Sequence, residues 1–90
     1  MTEQGYSQIS FQLLSQQVMP FSYCPGMAII FSLHGANTVL LSGKNYTLRP
    51  GVFIVVNPAE LYHIDCMHNA GAVVMRISPE FLRQIGRAHV

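Results

Sequence analysis

Charge is scarce in this chain. Of its 90 residues only a tenth are charged, five Lys and Arg against four Asp and Glu, for a formal net charge of +1. The cations Lys44, Arg49, Arg76, Arg83 and Arg87 are scattered. No basic stripe exists that could track a run of phosphates, so this segment is not expected to bind nucleic acid itself. The same sparseness argues against docking on an anionic membrane. There is no Trp, and the only cysteines are Cys24 and Cys66. Two cysteines without a signal peptide do not make a disulfide framework, and free thiols are expected. The opening residues MTEQGYSQIS lack the basic and apolar regions of a secretion signal. No apolar run approaches the ~20 residues that span a bilayer. These absences leave a soluble cytoplasmic protein as the expectation.

What is present is mostly apolar: half of the residues are hydrophobic. A chain this short makes one small domain with a thin core. A monomer has too little interior to hide such an excess, which predicts an apolar interface with a partner.

The pattern is that of strands and turns, organised around Gly43 to His63 (GKNYTLRPGVFIVVNPAELYH). Pro50-Gly51 and Asn57-Pro58 are turn signals, and Val52–Val56 between them suits a strand covered on both faces. Before this stretch, Met1–Ser10 reads as an arm and Phe11–Met19 as a strand. Pro20 and Pro25-Gly26 bracket the aromatic segment Phe21–Cys24. Met27–Leu33 is a strong strand, and Gly35 supplies a hairpin turn to Asn37–Leu41. Ser42-Gly43-Lys44 turns the chain into Asn45–Leu48. Beyond the stretch, Leu61–Asp65 is a short strand, Met67–Gly71 a polar loop and Ala72–Ile77 the last strand. Ser78-Pro79-Glu80 then offers an N-cap hydroxyl, a first-turn Pro and an early carboxylate, starting a helix that Gly86 is expected to stop. Seven or eight short strands and one C-terminal helix predict an all-β sandwich or barrel.

Three segments carry a resemblance: AIIFSLHG, TVLLSGKNYTLRPGVFIVVNPAELYH and VVMRISPEFL. In that order they resemble the N-terminal cupin domain of the arabinose-regulator (AraC) family of transcription factors. The matching motifs are Leu48-Arg49-Pro50-Gly51, Asn57-Pro58, His63 and Ser78-Pro79-Glu80-Phe81. The resemblance implies a small cupin-like, jelly-roll β-barrel over residues 1–77, with 1–10 as a flexible arm. Residues 78–90 begin a linker or dimerisation helix, and the helix-turn-helix DNA-binding domain is absent from this fragment. It implies a homodimer, a small-molecule effector such as a sugar or metabolite, and DNA contact only through the absent domain. Metal-binding cupins carry two His, a Glu and a further His. Here His63 holds the last position, and an ungapped count back from Gly35 puts the others on Ser22, Cys24 and Ala28. One His and a thiol are too few for a mononuclear site, so no metal and no cofactor are expected. The cluster His63-x-x-Cys66-x-His68 offers zinc-type ligands on a strand and loop where convergence is difficult.

Under this alignment Ser22, Cys24, Ser32 and His63 point inward as polar ligand contacts, with Ile30, Leu61 and Ala28 as apolar wall. Phe81, Leu82 and Ile85 form a helical stripe that could pair two copies. Glu60 and Asp65 flank the His63 strand, but no nucleophile with a neighbouring base can be assembled, and catalysis is not expected. His34 reads as a solvated turn residue. The resulting expectation is an effector-sensing or dimerisation module. A small metal-dependent cupin enzyme, an isomerase or oxygenase, is the alternative, and a ligand-free interaction barrel is a third.

Overall fold

The computed structural model of the chain describes residues 8–88, and the side chains of all of these except 67, 68 and 85–88. Six antiparallel strands and one helix follow in order: β1 (Ile9–Ser22), β2 (Met27–His34), β3 (Asn37–Leu41), β4 (Lys44–Leu48), β5 (Phe53–Val56), β6 (Tyr62–Ile77) and α1 (Pro79–Ala88). The expected all-β barrel with a C-terminal helix is present. Among the described residues no helix is long and apolar enough to cross a membrane.

The strand count falls below seven because Leu61–Asp65, the expected loop Met67–Gly71 and Ala72–Ile77 are one strand, β6. Asn69 takes φ 61° and Gln16, opposite it on β1, takes φ 47°. The pairing register jumps there, from Ser15↔Gly71 to Gln17↔Cys66, and Gln16 Nε2 donates to Asn69 Oδ1 at 3.3 Å. The polar residues at this point therefore mark a bulged bend. A side chain at Gly71 would collide with the ring of His34 unless that ring moved aside. His34 in turn is held by a 2.7 Å contact of its Nδ1 with the Asn69 carbonyl. It remains exposed beside Gly35, as expected, while this contact ties its ring to the bend.

The bend lets β6 serve two sheets. Its second half pairs with β2 and the first half of β1, and β2 pairs onward with β5. Its first half pairs with β3 and the second half of β1, and β3 pairs onward with β4. The two sheets close over a core that includes Leu14, Ile30, Val39, Val56, Ile64 and Val74. The predicted hairpin between β2 and β3 does not form: the two strands pair with opposite halves of β6 instead, and Gly35 between them takes φ 67°. Strand β1 also runs beyond its expected ends, taking in Ile9, Ser10 and the Phe21-Ser22 pair. Pro20 is tolerated in it because it falls at a register shift on a strand bonded only to β6.

Most turns are as expected. Ser42 and Gly43 both have positive φ, which gives the β3–β4 hairpin a primed turn. At Arg49-Pro50-Gly51 the Val52 N–H donates to the Arg49 carbonyl at 3.0 Å, with Gly51 at φ 86°. At Asn57 the backbone N–H donates to Glu60 Oε1 at 2.8 Å, while Ser42 Oγ donates to Glu60 Oε2 at 2.9 Å. Ser78 caps the helix as expected, its Oγ accepting from the Phe81 N–H at 3.1 Å. The helix continues through Gly86 to Ala88.

The outer faces of the two sheets differ. On the β1–β6–β2–β5 sheet, one cross-strand row reads Leu13, Val73, Phe31 and Phe53, and the next reads Phe11, Met75, Ile29 and Val55. On the other sheet the corresponding rows are Val18, Asp65, Thr38 and Thr47, then His63, Leu40 and Asn45. Strand β5 is an edge strand and leaves Phe53 and Val55 exposed, so it is not covered on both faces as its composition suggested.

Near the bend lies a polar cluster inside the barrel. Asn37 Nδ2 donates to Ser32 Oγ at 2.7 Å and to the Gly71 carbonyl at 3.0 Å. Cys66 Sγ donates to Asn37 Oδ1 at 2.7 Å, and Ser32 Oγ donates to the Leu48 carbonyl at 3.1 Å. Burial, with the Asp65 carboxylate adding to it, pushes the Cys66 thiol up and keeps it protonated as a donor. Replacing Asn37 by Ala strips partners from three buried groups at once. Asn37→Ala is expected to lower unfolding free energy by about 2–4 kcal/mol in urea titrations; a loss below about 0.5 kcal/mol would show that the cluster is dispensable.

A second expected outcome concerns Glu60. Its carboxyl sits below the ordinary carboxylate range because of the Asn57 N–H and then the Ser42 hydroxyl. A depressed folded value stabilises the fold above the unfolded value of 4.5, and this contribution is lost as pH falls through the folded value. The stability difference between wild type and Glu60→Gln should therefore shrink on acidification through the carboxylate range. A difference that stays constant over that range would contradict the turn clamp.

Candidate functional site

The inward face of β6 carries Tyr62, Ile64 and Cys66 before the bend, and Ala72, Val74 and Arg76 after it. This phase corrects two expectations. Leu61, predicted as interior wall, is 51% exposed. His63, predicted to point inward, lies on the opposite face from Tyr62 and Ile64, with its ring 5.0 Å from that of Phe21. A one-residue difference in phase exchanges the two faces of a strand completely. The same alternation puts His63 and Cys66 on opposite faces, so they cannot share a metal. The side chain of His68, the third member of that cluster, lies outside the described residues.

The other expected ligand contacts divide. Cys24 and Ile30 are buried in the core, and both cysteines are free. Ser32 is buried but committed to Leu48 and Asn37. Ser22 is half-buried and donates to the Pro20 carbonyl at 2.9 Å. Phe81 and Leu82 on α1 are half-buried, and the side chain of Ile85 lies outside the described residues. Glu60 is held in its turn, while Asp65 Oδ1 is buried without a hydrogen-bond partner among the described residues. These two carboxylates therefore have separate roles and form no acid/base pair.

The end of the barrel away from the bend contains a group that the sequence reading passed over. Arg76 pairs with Ala28 and Ser10 in the register that points inward. Its Nη2 reaches across to the second sheet, donating to Tyr62 Oη at 3.4 Å and lying 3.9 Å from Met19 Sδ. Tyr62 is paired with Leu41 and Ser22, and Ala28 with Val56; Tyr62, Leu41, Ala28 and Val56 are all buried. Among the described residues no carboxylate forms a salt bridge with Arg76. The alternation Ala72, Val74, Arg76 was visible in the sequence. The one clue to the role of Arg76 was that a charge interrupts the inward apolar series of the last strand.

No protein-family model matches the chain, and no curated protein matches its sequence. Solved structures do match it. A cupin-2 domain protein from Shewanella frigidimarina superposes with TM-score 0.68 at 11% identity, covering 78% of this chain and 71% of that one. A cupin superfamily protein from Desulfitobacterium hafniense gives 0.69 at 13% identity, with coverages of 78% and 65%. The EutQ protein of Clostridium difficile gives 0.61 at 8% identity, and this chain spans 55% of its length. At these identities the likeness is one of fold: the chain has the cupin architecture.

Proposed function

We propose that this barrel is the effector-sensing and dimerisation module of an AraC-type transcription regulator, acting in the cytoplasm on DNA through a separate domain. The order of Leu-Arg-Pro-Gly, Asn-Pro, His and Ser-Pro-Glu-Phe along the chain supports the family, and the cupin fold agrees with it. A binding role without catalysis fits the interior. Ser32, Asn37 and Cys66 use their hydrogen-bonding groups on one another and on backbone, leaving no activated nucleophile among them.

The observation that carries the dimerisation half is the apolar outer face of the β1–β6–β2–β5 sheet. Phe11 is 70% exposed, Leu13 67%, Phe53 53% and Phe31 41%. With the flanking aliphatic residues they form a contiguous, mainly apolar face of the kind a standard interface of about 800 Å² per partner buries. Monomers rarely expose contiguous apolar patches beyond about 600 Å². A second copy is the partner best matched to this face, since a two-fold axis sets each apolar row against its own equivalent without charge matching. Phe81 and Leu82 offer less area, so the main contact is assigned to the sheet and the helix stripe to a supporting role.

Sedimentation equilibrium tests this reading. Wild type is expected to be dimeric at micromolar concentration and Leu13→Glu monomeric, with unchanged far-UV circular dichroism. Phe81→Glu is expected to remain dimeric. A wild type that stays monomeric at high concentration, or a Leu13→Glu variant that still dimerises, would overturn the sheet interface.

A further inference from the structure

We propose that strand β1 is a second self-association surface, separate from the apolar face. Its free edge pairs antiparallel with the same edge of another copy, about a two-fold axis at Phe11. Strand β1 follows β6 through its bend and so borders both sheets; among the described residues it bonds only to β6. Sheet edges are ordinarily kept short, charged, bulged or interrupted by Pro, so that they do not template a further strand. The other edges obey this, since β5 has four residues and β4 has five, beginning with Lys44. Strand β1 has fourteen, ISFQLLSQQVMPFS, and none is charged. Its second half is broken by Gln16 at φ 47° and by the register shift at Pro20. Nothing of the kind interrupts Ile9 to Ser15.

The ladder shows which amides are free. The Ser78 N–H donates to the Gln8 carbonyl at 2.9 Å, so Gln8, Ser10, Gln12 and Leu14 turn their backbone groups toward β6. By antiparallel alternation Ile9, Phe11, Leu13 and Ser15 turn theirs away. The Ser15 N–H is taken by Gln17 Oε1 at 3.4 Å, which ends the free run at Leu13. A two-fold at Phe11 then sets Ile9 of each copy opposite Leu13 of the other, and the two Phe11 residues opposite each other. Each facing pair exchanges both of its N–H···O=C bonds. The side chains of Ile9, Phe11 and Leu13 are all exposed, so the pairing puts an aromatic pair on the axis and aliphatic pairs beside it. A second copy is the matching occupant because every facing position is apolar and no like charges meet across the axis. The contact lies in the plane of the sheet, at right angles to the apolar face, and both can be made at once. Two face-packed dimers joined in this way form a tetramer.

The test removes each surface by itself, following mass by sedimentation velocity and backbone amide exchange by NMR from micromolar to millimolar concentration. Phe11→Pro deletes an outward N–H and none of the β1–β6 bonds, while Phe11→Thr removes the same ring and keeps the N–H. Phe31→Glu charges the apolar face two strands away from β1. Wild type is expected to pass from dimer to tetramer, and Phe31→Glu from monomer to edge-paired dimer. In both, exchange at Ile9, Phe11 and Leu13 should slow as association proceeds. Phe11→Pro should weaken the edge step roughly 10- to 100-fold relative to Phe11→Thr, the loss of one hydrogen bond from each copy. The exchange pattern of Phe31→Glu decides the matter even if Phe11→Pro folds poorly. Phe31→Glu that stays monomeric at millimolar concentration overturns the edge pairing and leaves the face interface standing. Equal association of Phe11→Pro and Phe11→Thr overturns it too. So does slow exchange at the three amides that is unchanged by dilution, because the chain's own residues would then cover the edge. If Phe31→Glu keeps the wild-type dimer at micromolar concentration and Phe11→Pro loses it, the edge pairing stands and the face interface falls.

Discussion

The whole architecture depends on one strand being used twice. Strand β6 is flanked by β1 and β3 before its bend and by β1 and β2 after it. This works only if the backbone can fold over without abandoning its ladder. Asn69 and Gln16 meet that demand with left-handed conformations on facing strands, and Gly71 gives the room into which His34 packs. A bend of this kind breaks the ladder locally, and the interior must supply the missing partner. Asn37 does so by donating to the Gly71 carbonyl. The buried polar cluster is therefore a consequence of the bend, and its members are specified by backbone geometry more than by ligand chemistry.

Much of this was legible in the residues. Pro50-Gly51, Asn57-Pro58, Ser42-Gly43 and Ser78-Pro79 each place their turn or cap by a local rule, and local rules transfer directly to structure. The segment from Met67 to Gly71 was not legible because its polar, Gly-containing composition is shared by loops and bulged bends. What separates the two is pairing with strands that are distant in sequence. The β2–β3 connection failed for a related reason: Gly35 signals a turn but not whether the chain stays in its sheet. His63 was misplaced by phase. The resemblance supplied its position, while the burial of Tyr62, Ile64 and Cys66 decides which alternate residues face inward.

The two sheets share a core but present opposite surfaces. Thr38, Thr47, His63 and Asn45 give one a largely polar face. The other is apolar across four neighbouring strands. Such an asymmetry accounts for the high hydrophobic content of the chain without requiring a large interior.

The double use of β6 also governs the order of events in synthesis. Ile9 pairs with Ile77, so the earliest described strand must wait for the end of the last one. Pairings this distant in sequence are slow to close, because the connecting chain must be ordered before they form. The strand that both sheets share emerges from the ribosome after the five it organises. Until it does, only the β3–β4 hairpin and the β2–β5 pair can form, with nothing to close them over a core. Closure of the barrel over its core is therefore a late event that waits for Ile77.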